Sequence, residues 1–502
     1  MLCKPAVSPA VWTEQAEERG IKGGMDMLII KDVLLIANAR SGPTKAAVVV
    51  GSDGRILSIL DRCPSDCADA EVVDAAGMIG IPGLVNAHTH SYANMTKALS
   101  ENYPLEEMMF HIRAQGAYQT PEAVYYNTLA GAIEMLKCGI TSCLDQLSQS
   151  AEGLEAALQA YADVGIRACV VPMITDRTYY QTLPVFQHLY PRSEQTAKAA
   201  AAADLIDMNL ALIREWNGRD GRISVGFGPS GPQRSSEELL RGCIRGALDY
   251  GTVFHTHVLE TAIQRNTAHL FYGKSMVQYL DDIGCLTPQT SFAHGVWLTE
   301  DDAKLSRDRG VTIAHCPVCN MFLGSGVAPV NTYRKLGWLP ALGTDGSNGG
   351  GNQNLLETMK VAAVLHKISE PDYRSWISAR EVFEMATERG ARLLLQDSRI
   401  GVIEEGKDCD MVLLDPKKSF ALRPAQDLIP QIVYGEGGAA VDTVFVKGRM
   451  VVKHGKCTLV DEEPALAKME AIAGVLAEKI RGDLPRIEAE IAYLDSVLPR
   501  LG

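Results

Sequence analysis

The sequence lacks the features that would assign it to a membrane or secreted class. In 502 residues, no uninterrupted apolar run approaches the roughly 18–20 residues that a spanning helix needs. The first two dozen residues carry Glu14, Glu17 and Arg19 and no apolar core, so we expect no secretory signal. The 12 cysteines are scattered rather than spaced as a disulfide framework. These absences predict reduced thiols and a cytoplasmic location.

Basic segments are also missing. Lysine and arginine total 48 against 61 acidic residues, a net charge of −13, and no basic block occurs. Aromatic residues make up 6% of the chain and form no stacking stripe. This balance argues against nucleic acid or an anionic membrane as a partner and leaves a small molecule as the expected ligand. The Cys316-Pro-Val-Cys319 pair and the looser pair Cys63 and Cys67 have no second pair at zinc-ribbon spacing, so we expect thiols without metal.

Short apolar runs, rich in β-branched residues, alternate with amphipathic helical segments through the middle of the chain. The eight predicted strands are 83–90, 140–145, 168–173, 223–228, 253–258, 291–295, 311–316 and 339–345. Eight βα units predict a (β/α)₈ barrel of the TIM type, with an open doubly wound sheet as the alternative. Polar residues at the carboxyl ends of these strands favour the barrel, because only there do those ends meet on one face. They are His88, His90, Asp145, His257, His294, His315 and Asp345.

Both ends of the chain carry short strands with hairpin turns, such as Ser52-Asp53-Gly54-Arg55. Neither group is large enough to bury a core alone, so we expect one small β-sandwich built from both termini. The expected division is an N-terminal extension (1–26), the N-terminal strands of the sandwich (27–82), the barrel (83–398), the C-terminal strands of the sandwich (399–460) and a C-terminal helical segment (461–502) with a break at 482–485.

His88-Thr89-His90 is the feature with the most chemical content. Residues two apart on a strand point to the same side, so both imidazoles face one point, as a transition metal requires. His257 and Asp345, from two other strands, complete a set of three imidazoles and one carboxylate. Such a metal lowers the pKa of bound water to roughly 7. The sequence therefore predicts a site that activates water.

Glu260, three residues after His257, is placed to deliver a proton to the substrate, and Asp345 to accept one from the water. His294 would hydrogen-bond the attacking oxygen or the developing negative charge. Taken singly, each group also fits a structural role, as a buried histidine, a turn aspartate or a charge in the first turn of a helix. We expect His255 to support a ligand from behind. The remaining histidines, His111, His188, His269, His366 and His454, are expected to be solvated.

From about residue 27 to about 456, the chain resembles the amidohydrolase superfamily, in particular the branch that contains guanine deaminase, methylthioadenosine/S-adenosylhomocysteine deaminase and the s-triazine hydrolases. The segments that carry the resemblance are IPGLVNAHTH (81–90), HTHVLET (255–261), SFAHG (291–295), AHCPVCN (314–320) and LGTDG (342–346), supported by NLLETM (354–359) and GKDCDMV (406–412). It implies one metal on His88, His90, His257 and Asp345, with Glu260 protonating a ring nitrogen and Asp345 and His294 acting on water. It also implies a barrel with a sandwich drawn from both termini, and a homo-oligomer.

Two departures from the family pattern narrow the expected number of metal ions and the expected class of substrate. The fourth strand lacks the lysine that bridges two metals in binuclear members, so we expect a single divalent ion, zinc or, alternatively, iron. Ser230 stands where nucleoside-deaminating members have histidine, which favours a free base, pterin or triazine over a nucleoside. Ser230, Gln233, Trp297, Asn94 and His315 are candidate substrate-contacting or supporting groups.

We therefore expect a hydrolase that cleaves a C–N bond, by deaminating an amino-substituted N-heterocycle. The alternatives are a hydrolase of an acyclic amide, urea or carbamate, which would share the metal site, and a non-catalytic protein of the same fold.

Overall fold

The computed structural model describes residues 27–64, 70–97 and 101–498. The predicted N-terminal extension at 1–26 and Cys67 lie outside the described residues.

The middle of the chain forms the predicted ring of parallel strands. In order they are Leu84–Thr89, Ile140–Leu147, Arg167–Ile174, Ile223–Val225 continued by Gly228–Pro229, Phe254–Val258, Thr290–His294, Thr312–His315 and Ala341–Leu342. The fourth and fifth strands are joined by Phe227 N to Val253 O and His255 N to Phe227 O, both 2.8 Å. The eighth is joined to the first by Asp345 N to His88 O at 3.0 Å. The ring is therefore closed, as in a TIM-type barrel.

Helices surround this ring and bury their apolar faces against it. They are Leu105–Ala117, Pro121–Lys137, Ala151–Val164, Arg192–Thr196, Ala202–Trp216, Glu237–Tyr250, Ala262–Tyr272, Met276–Asp282, Glu300–Asp308, Pro317–Phe322, Val330–Lys335, Ser347–Gly350, Leu355–Leu365, Ala379–Met385, Glu388–Leu393, Leu428–Gly435 and Glu462–Val497. Several begin at caps visible in the sequence: Thr120 and Ser236 each accept a hydrogen bond from the backbone three residues on. Within the described residues, no helix combines the length and the apolar character needed to cross a membrane.

Strands from both ends of the chain share one nine-stranded sheet. They are Met27–Leu35, Thr44–Val50, Ile56–Leu60, Ala70–Asp74, Ile79–Pro82, Met411–Leu414, Val441–Val446, Arg449–Lys453 and Lys456–Cys457. Ile79–Pro82 pairs antiparallel with Met411–Leu414, which joins the two terminal groups. The predicted hairpin at 52–55 is confirmed, since Thr44–Val50 and Ile56–Leu60 pair antiparallel and Gly54 takes the left-handed φ of 82°.

The predicted break at 482–485 is wrong. One helix runs from Glu462 to Val497, with Pro485 inside it. A proline in a helix interior removes a hydrogen bond and costs about 3 kcal/mol. The continuous helix buries Ile487, Ile491 and Leu494 in a cluster with Phe110 of the helix Leu105–Ala117, and this burial outweighs the cost of the proline. We call Leu105–Ala117 the pocket helix and Glu462–Val497 the C-terminal helix.

Candidate metal and active site

Three imidazole nitrogens converge at the carboxyl ends of the first and fifth barrel strands. His88, His90 and His257 each offer a ligand atom, and these atoms lie within 4.8 Å of one another. The Nε2 atoms of His90 and His257 are 3.3 Å apart. Burial and the neighbouring imidazoles hold the pKa of His88 and His257 well below 6.5, so these two rings are neutral at pH 7. Neutral imidazole is the form that binds a metal.

Each ring is held by a contact on its Nδ1 side. His88 Nδ1 lies 2.9 Å from His255 Nε2, and His257 Nδ1 lies 2.6 Å from the Ser230 carbonyl oxygen. His90 Nδ1 makes a short contact of 2.5 Å with the carbonyl oxygen of Gln146. When Nδ1 donates a proton to these acceptors, Nε2 keeps its lone pair. The three Nε2 atoms therefore face one point as acceptors.

Asp345 adds a carboxylate to the same point. Its Oδ1 lies 3.3 Å from His90 Nε2 and 3.7 Å from His88 Nε2. Burial raises its pKa, but the imidazoles of His90 and His294 and hydrogen bonds from Cys319 and Gly346 outweigh this and lower it. Asp345 has φ 64°, a left-handed conformation that Asp tolerates better than most residues. A side chain at the nearby Gly343 would come within 2.8 Å of His88 Cβ, so only glycine allows this approach of the eighth strand to the first.

Glu260 and His294 face the other carboxylate oxygen of Asp345. His294 Nε2 lies 3.6 Å from Asp345 Oδ2 and 3.6 Å from Glu260 Oε2. The Nδ1 atom of His294 contacts Asn320 Oδ1 at 3.0 Å, which turns Nε2 toward the carboxylates. Burial raises the pKa of Glu260 above its usual 4.5, and the charge of Asp345 adds to this, while His294 and Arg234 oppose it. Glu260 is therefore suited to hold a proton that it can donate.

The donor set fits a divalent metal ion. Among the described residues, His88 Nε2 is fully buried and has no hydrogen-bond partner. A buried polar atom without a partner costs about 1–3 kcal/mol, and a metal at this point would remove that cost. Imidazole and carboxylate ligands suit zinc and iron better than magnesium or calcium.

A small cavity of about 50 Å³ opens onto these groups. His90, His257, Glu260, His294 and Asp345 line its floor. Apolar side chains form much of the remaining wall: Leu105, Met108, Met109, Ile112, Met173 and Leu323. The cavity thus combines a polar reacting end with an apolar enclosure that excludes water, as expected of a small-molecule site.

The remaining predicted residues lie around the site rather than on its floor. Ser230 contributes its carbonyl to His257, and its hydroxyl accepts a hydrogen bond from Arg234 at 3.3 Å. His255 lies behind His88, where we expected a supporting group. Asn94 accepts a hydrogen bond from Ser347 Oγ at 2.8 Å, and Gln233 is buried beside the cavity.

Trp297 and His315 point elsewhere. The indole of Trp297 donates to the Ser325 carbonyl at 2.9 Å and does not belong to the cavity lining that the described residues form. His315 Nε2 lies 3.0 Å from His366 Nε2. The preceding Ala314 points into the barrel interior, so the alternation of the strand turns His315 to the outside.

The expectation that His366 and His111 are solvated is wrong. His366 is 2% exposed and contacts the ring of His315, and His111 is 4% exposed and lies on the pocket helix against the ring of Tyr103. Cys316 and Cys319 are both buried and form no disulfide. Cys319 nevertheless lines the cavity and lowers the pKa of Asp345 through a hydrogen bond.

Sequence reasoning missed Arg234 and Asn320. Arg234 lines the cavity and lies on the segment that follows Ser230. The available signal was its position, four residues after the candidate pocket residue Ser230, because an arginine beside a pocket changes the charge and the hydrogen-bond donors of that pocket. Asn320 follows the Cys316-x-x-Cys319 motif, and only its contact with His294 reveals its role in the site.

Comparison with known proteins agrees with this geometry. The amidohydrolase family model matches residues 79–451. The chain belongs to the amidohydrolase family. It is 32% identical over 460 residues to a 5'-deoxyadenosine deaminase of Methanosarcina mazei, covering 91% of this chain and 99% of that protein. Hydrolysis of a C–N bond is the activity that the family and the named relative have in common.

Solved structures show the same fold. An adenosine deaminase from Xanthomonas campestris, with bound zinc, is 26% identical with a TM-score of 0.79, covering 91% of this chain and 98% of that one. A triazine hydrolase from Arthobacter aurescens is 23% identical with a TM-score of 0.81, covering 89% and 99%. At 23% identity, the similarity to the triazine hydrolase supports the barrel architecture alone.

Proposed function

We propose that the protein hydrolyses the exocyclic C–N bond of an amino-substituted N-heterocycle and releases ammonia or an amine. The observation that carries this proposal is the pairing of a convergent His₃Asp donor set with a buried, raised-pKa Glu260 in one cavity. The donor set serves attack by water. The protonated carboxyl of Glu260 assists departure of the amine, because an aromatic amidine must be protonated on a ring nitrogen before its exocyclic C–N bond breaks.

We propose a single divalent ion, zinc with iron as the alternative, on His88, His90, His257 and Asp345. The partnerless Nε2 of His88 supports this assignment. The zinc in the adenosine deaminase from Xanthomonas campestris supports the choice of metal. Among the described residues of the fourth strand, Ile223–Val225 and Gly228–Pro229, no lysine offers a bridge to a second ion. When bound, a divalent ion polarises water and lowers its pKa toward about 7.

The chain's own groups then carry the protons. Asp345 stays ionised and accepts a proton from the attacking water, whose oxygen bonds to the ring carbon that bears the amino group. His294 Nε2 lies between the two carboxylates and stabilises the charge on that oxygen. Glu260 protonates the ring nitrogen. The proton held by Asp345 passes to the amino group, the C–N bond breaks with release of ammonia or an amine, and the remaining hydroxyl proton returns to Glu260 as the oxo-heterocycle forms.

The alternative of an acyclic amide, urea or carbamate substrate is less favoured. The 5'-deoxyadenosine deaminase and the adenosine deaminase reported above are named for substrates whose amino group lies on an N-heterocycle. An acyclic amide does not need a ring nitrogen to be protonated, so Glu260 would be left without its role.

The test combines a substrate panel with one substitution. Metal-loaded protein is assayed for ammonia release from guanine, pterin, cytosine, aminotriazines, amides and ureas. On the best heterocycle, Glu260→Gln is expected to keep its metal and to lose about 10²–10⁴-fold in kcat/KM, because the acid is gone. Glu238→Gln, on an exposed position of the helix Glu237–Tyr250, is the control and should match wild type. Wild-type activity in Glu260→Gln would contradict the proposal.

Three further expectations belong to this proposal. We infer a cytoplasmic protein and a homo-oligomer; nine described cysteines other than Cys63 form no disulfide, which supports the first. We also infer that the nine-stranded terminal sheet folds into a small sandwich. One cluster gathers buried side chains from both termini, including Ile30, Val48, Met411 and Phe445. The domain boundaries at 82/83, 398/399 and 460/461 follow from this division.

A further inference from the structure

Arg234 is a guanidinium in the cavity that the reaction described above does not use. Among the described residues that line the cavity, it is the only lysine or arginine. It shares the cavity with Glu260, the proposed acid, and with the apolar side chains of the pocket helix. Arg234 is half-buried, and its guanidinium can be satisfied by a partner of opposite charge, by an acceptor on a ligand or by water.

The protein itself supplies little of that partnership. The guanidinium has five N–H donors, and within the described residues its side chain makes one hydrogen bond, from Nη1 to Ser230 Oγ at 3.3 Å. Among the same residues, no carboxylate oxygen lies within ion-pair distance of it. Buried Arg167, by contrast, makes ion pairs of 2.9 and 3.0 Å with Asp408 and Asp410. Arg234 therefore keeps several donors available for a ligand.

The backbone around Arg234 holds it in place. Its amide donates to the Gly231 carbonyl at 2.9 Å, and its own carbonyl accepts a hydrogen bond from Thr175 Oγ1. The preceding Gln233 carbonyl accepts from Arg177 Nη1 at 3.2 Å. These contacts fix the backbone at Arg234, the Ser230 contact restrains its side chain, and the planar guanidinium selects the direction of an acceptor.

We propose that Arg234 is a specificity-determining residue that binds an oxygen acceptor on the substrate ring. The substrate class is then an amino-substituted N-heterocycle that also carries a ring oxo group, as carbonyl or enolate. This inference rests on the proposed deamination and narrows it. An adenine ring offers no such oxygen, so the proposal favours an oxo-bearing ring of the guanine, pterin or triazine type.

The test uses pairs of heterocycles that differ by one oxygen in place of one amino group. Ammeline and melamine form one pair, and guanine and 2,6-diaminopurine form the other. Binding is measured by calorimetry in the Glu260→Gln background, so that affinity is read without turnover. We expect the oxo member to bind about 10–100-fold more tightly, since a hydrogen bond from a charged donor is stronger than one between neutral groups.

Substitution of Arg234 should abolish that preference. Arg234→Met is expected to weaken the oxo member about 10–100-fold and to leave the amino member unchanged, and Arg234→Lys should restore some of the loss. With Glu260 intact, the same change should appear mainly in KM. Arg245→Met removes an equal charge from an exposed position on the helix Glu237–Tyr250 and should leave the preference intact.

The outcomes separate this inference from the proposed function. Equal binding of both members, failure of the oxo members to bind, or an equal loss for both in Arg234→Met would overturn the role of Arg234. Ammonia release from heterocycles would stand in each of those cases. Absence of ammonia release from every heterocycle would instead sink the deaminase proposal, whatever the binding preference.

Discussion

Each imidazole that faces the metal point depends on a group behind it. Ser291 Oγ lies 2.7 Å from His255 Nδ1, and His255 Nε2 lies 2.9 Å from His88 Nδ1. With the proton on His88 Nδ1, His255 accepts through Nε2 and donates through Nδ1 to the serine. These two hydrogen bonds leave the lone pair of His88 Nε2 available to a metal and keep the His88 ring from rotating. His255 is thus a positioning residue, and its loss should affect the metal before it affects the fold.

His255→Leu is the corresponding prediction at the residue scale. The substitution leaves His88 Nδ1 buried without an acceptor, so metal affinity should fall about 10–100-fold. Competition with a chromophoric chelator measures this affinity. His269→Leu, at an exposed histidine, should leave it unchanged. Unaltered affinity in His255→Leu would show that the His255 contact does not orient the ligand.

The sequence predicted the ligands and, among the groups behind them, only His255. The roles of His88, His90 and His257 as metal ligands can be predicted, because the spacing of residues on a strand determines which way their side chains point. Ser230 acts through its backbone carbonyl, which is the same in every residue type and carries no sequence signal. His294 shows another limit: its left-handed φ of 72° at the end of a strand could not be read from its neighbours.

At the scale of elements, the pocket helix connects the cavity to the C-terminal helix. One face supplies Leu105, Met108 and Met109 to the cavity wall. The opposite face packs Phe110 against Ile487 and Leu494 of the C-terminal helix. The predicted interruption of that helix took Gly and Pro as local stop signals. Tertiary burial overrides such signals, and a single sequence does not reveal the partner surface.

A buried carboxyl at this helix interface should make stability depend on pH. Burial, with the nearby charges of Glu106 and Asp495, raises the pKa of Glu107 from 4.5 to about 7. The unfolded chain loses this proton above about pH 4.5, whereas the folded chain keeps it up to about 7. Stability therefore falls as pH rises through that window and then levels off, a penalty of at most about 3 kcal/mol.

Glu107→Gln should remove this penalty. We expect the variant to unfold at higher denaturant concentration than wild type at pH 8, with a much smaller difference at pH 5. Glu478→Gln, at an exposed position on the C-terminal helix, should change neither value. Equal effects of Glu107→Gln at the two pH values would place the carboxyl in an ordinary, ionised state.

At the scale of the whole molecule, the barrel was predictable and the terminal sheet less so. The alternation of a strand with a helix occurs eight times, and polar groups stand at the strand ends. An error in the bounds of one strand or helix therefore does not change the predicted fold. The pairing of Ile79–Pro82 with Met411–Leu414 joins segments more than 300 residues apart. No periodic pattern in the sequence predicts which distant strands pair, and the register of this pair depends on packing between the two terminal groups of strands.

A buried ion-pair cluster connects the barrel to that sheet. Arg167, at the start of the third barrel strand, is 3% exposed. Its guanidinium contacts Asp410 Oδ2 at 3.0 Å and Asp408 Oδ2 at 2.9 Å, and Arg399 also reaches Asp408 at 2.6 Å. The cluster lies at the amino-terminal end of the barrel strands, opposite the cavity. Its role should therefore be stability rather than chemistry.

Arg167→Leu is expected to cost about 3–5 kcal/mol, because it leaves the carboxylate of Asp410 buried without its cation. The melting midpoint should fall by several degrees, while kcat of the folded fraction stays near wild type. Arg392→Leu, which breaks the exposed pair with Asp397, should cost less than about 1 kcal/mol. Adding Asp410→Asn to Arg167→Leu should recover some of the loss, since the unpaired charge disappears. A double variant no more stable than Arg167→Leu would mean that lost packing, rather than a stranded charge, accounts for the effect.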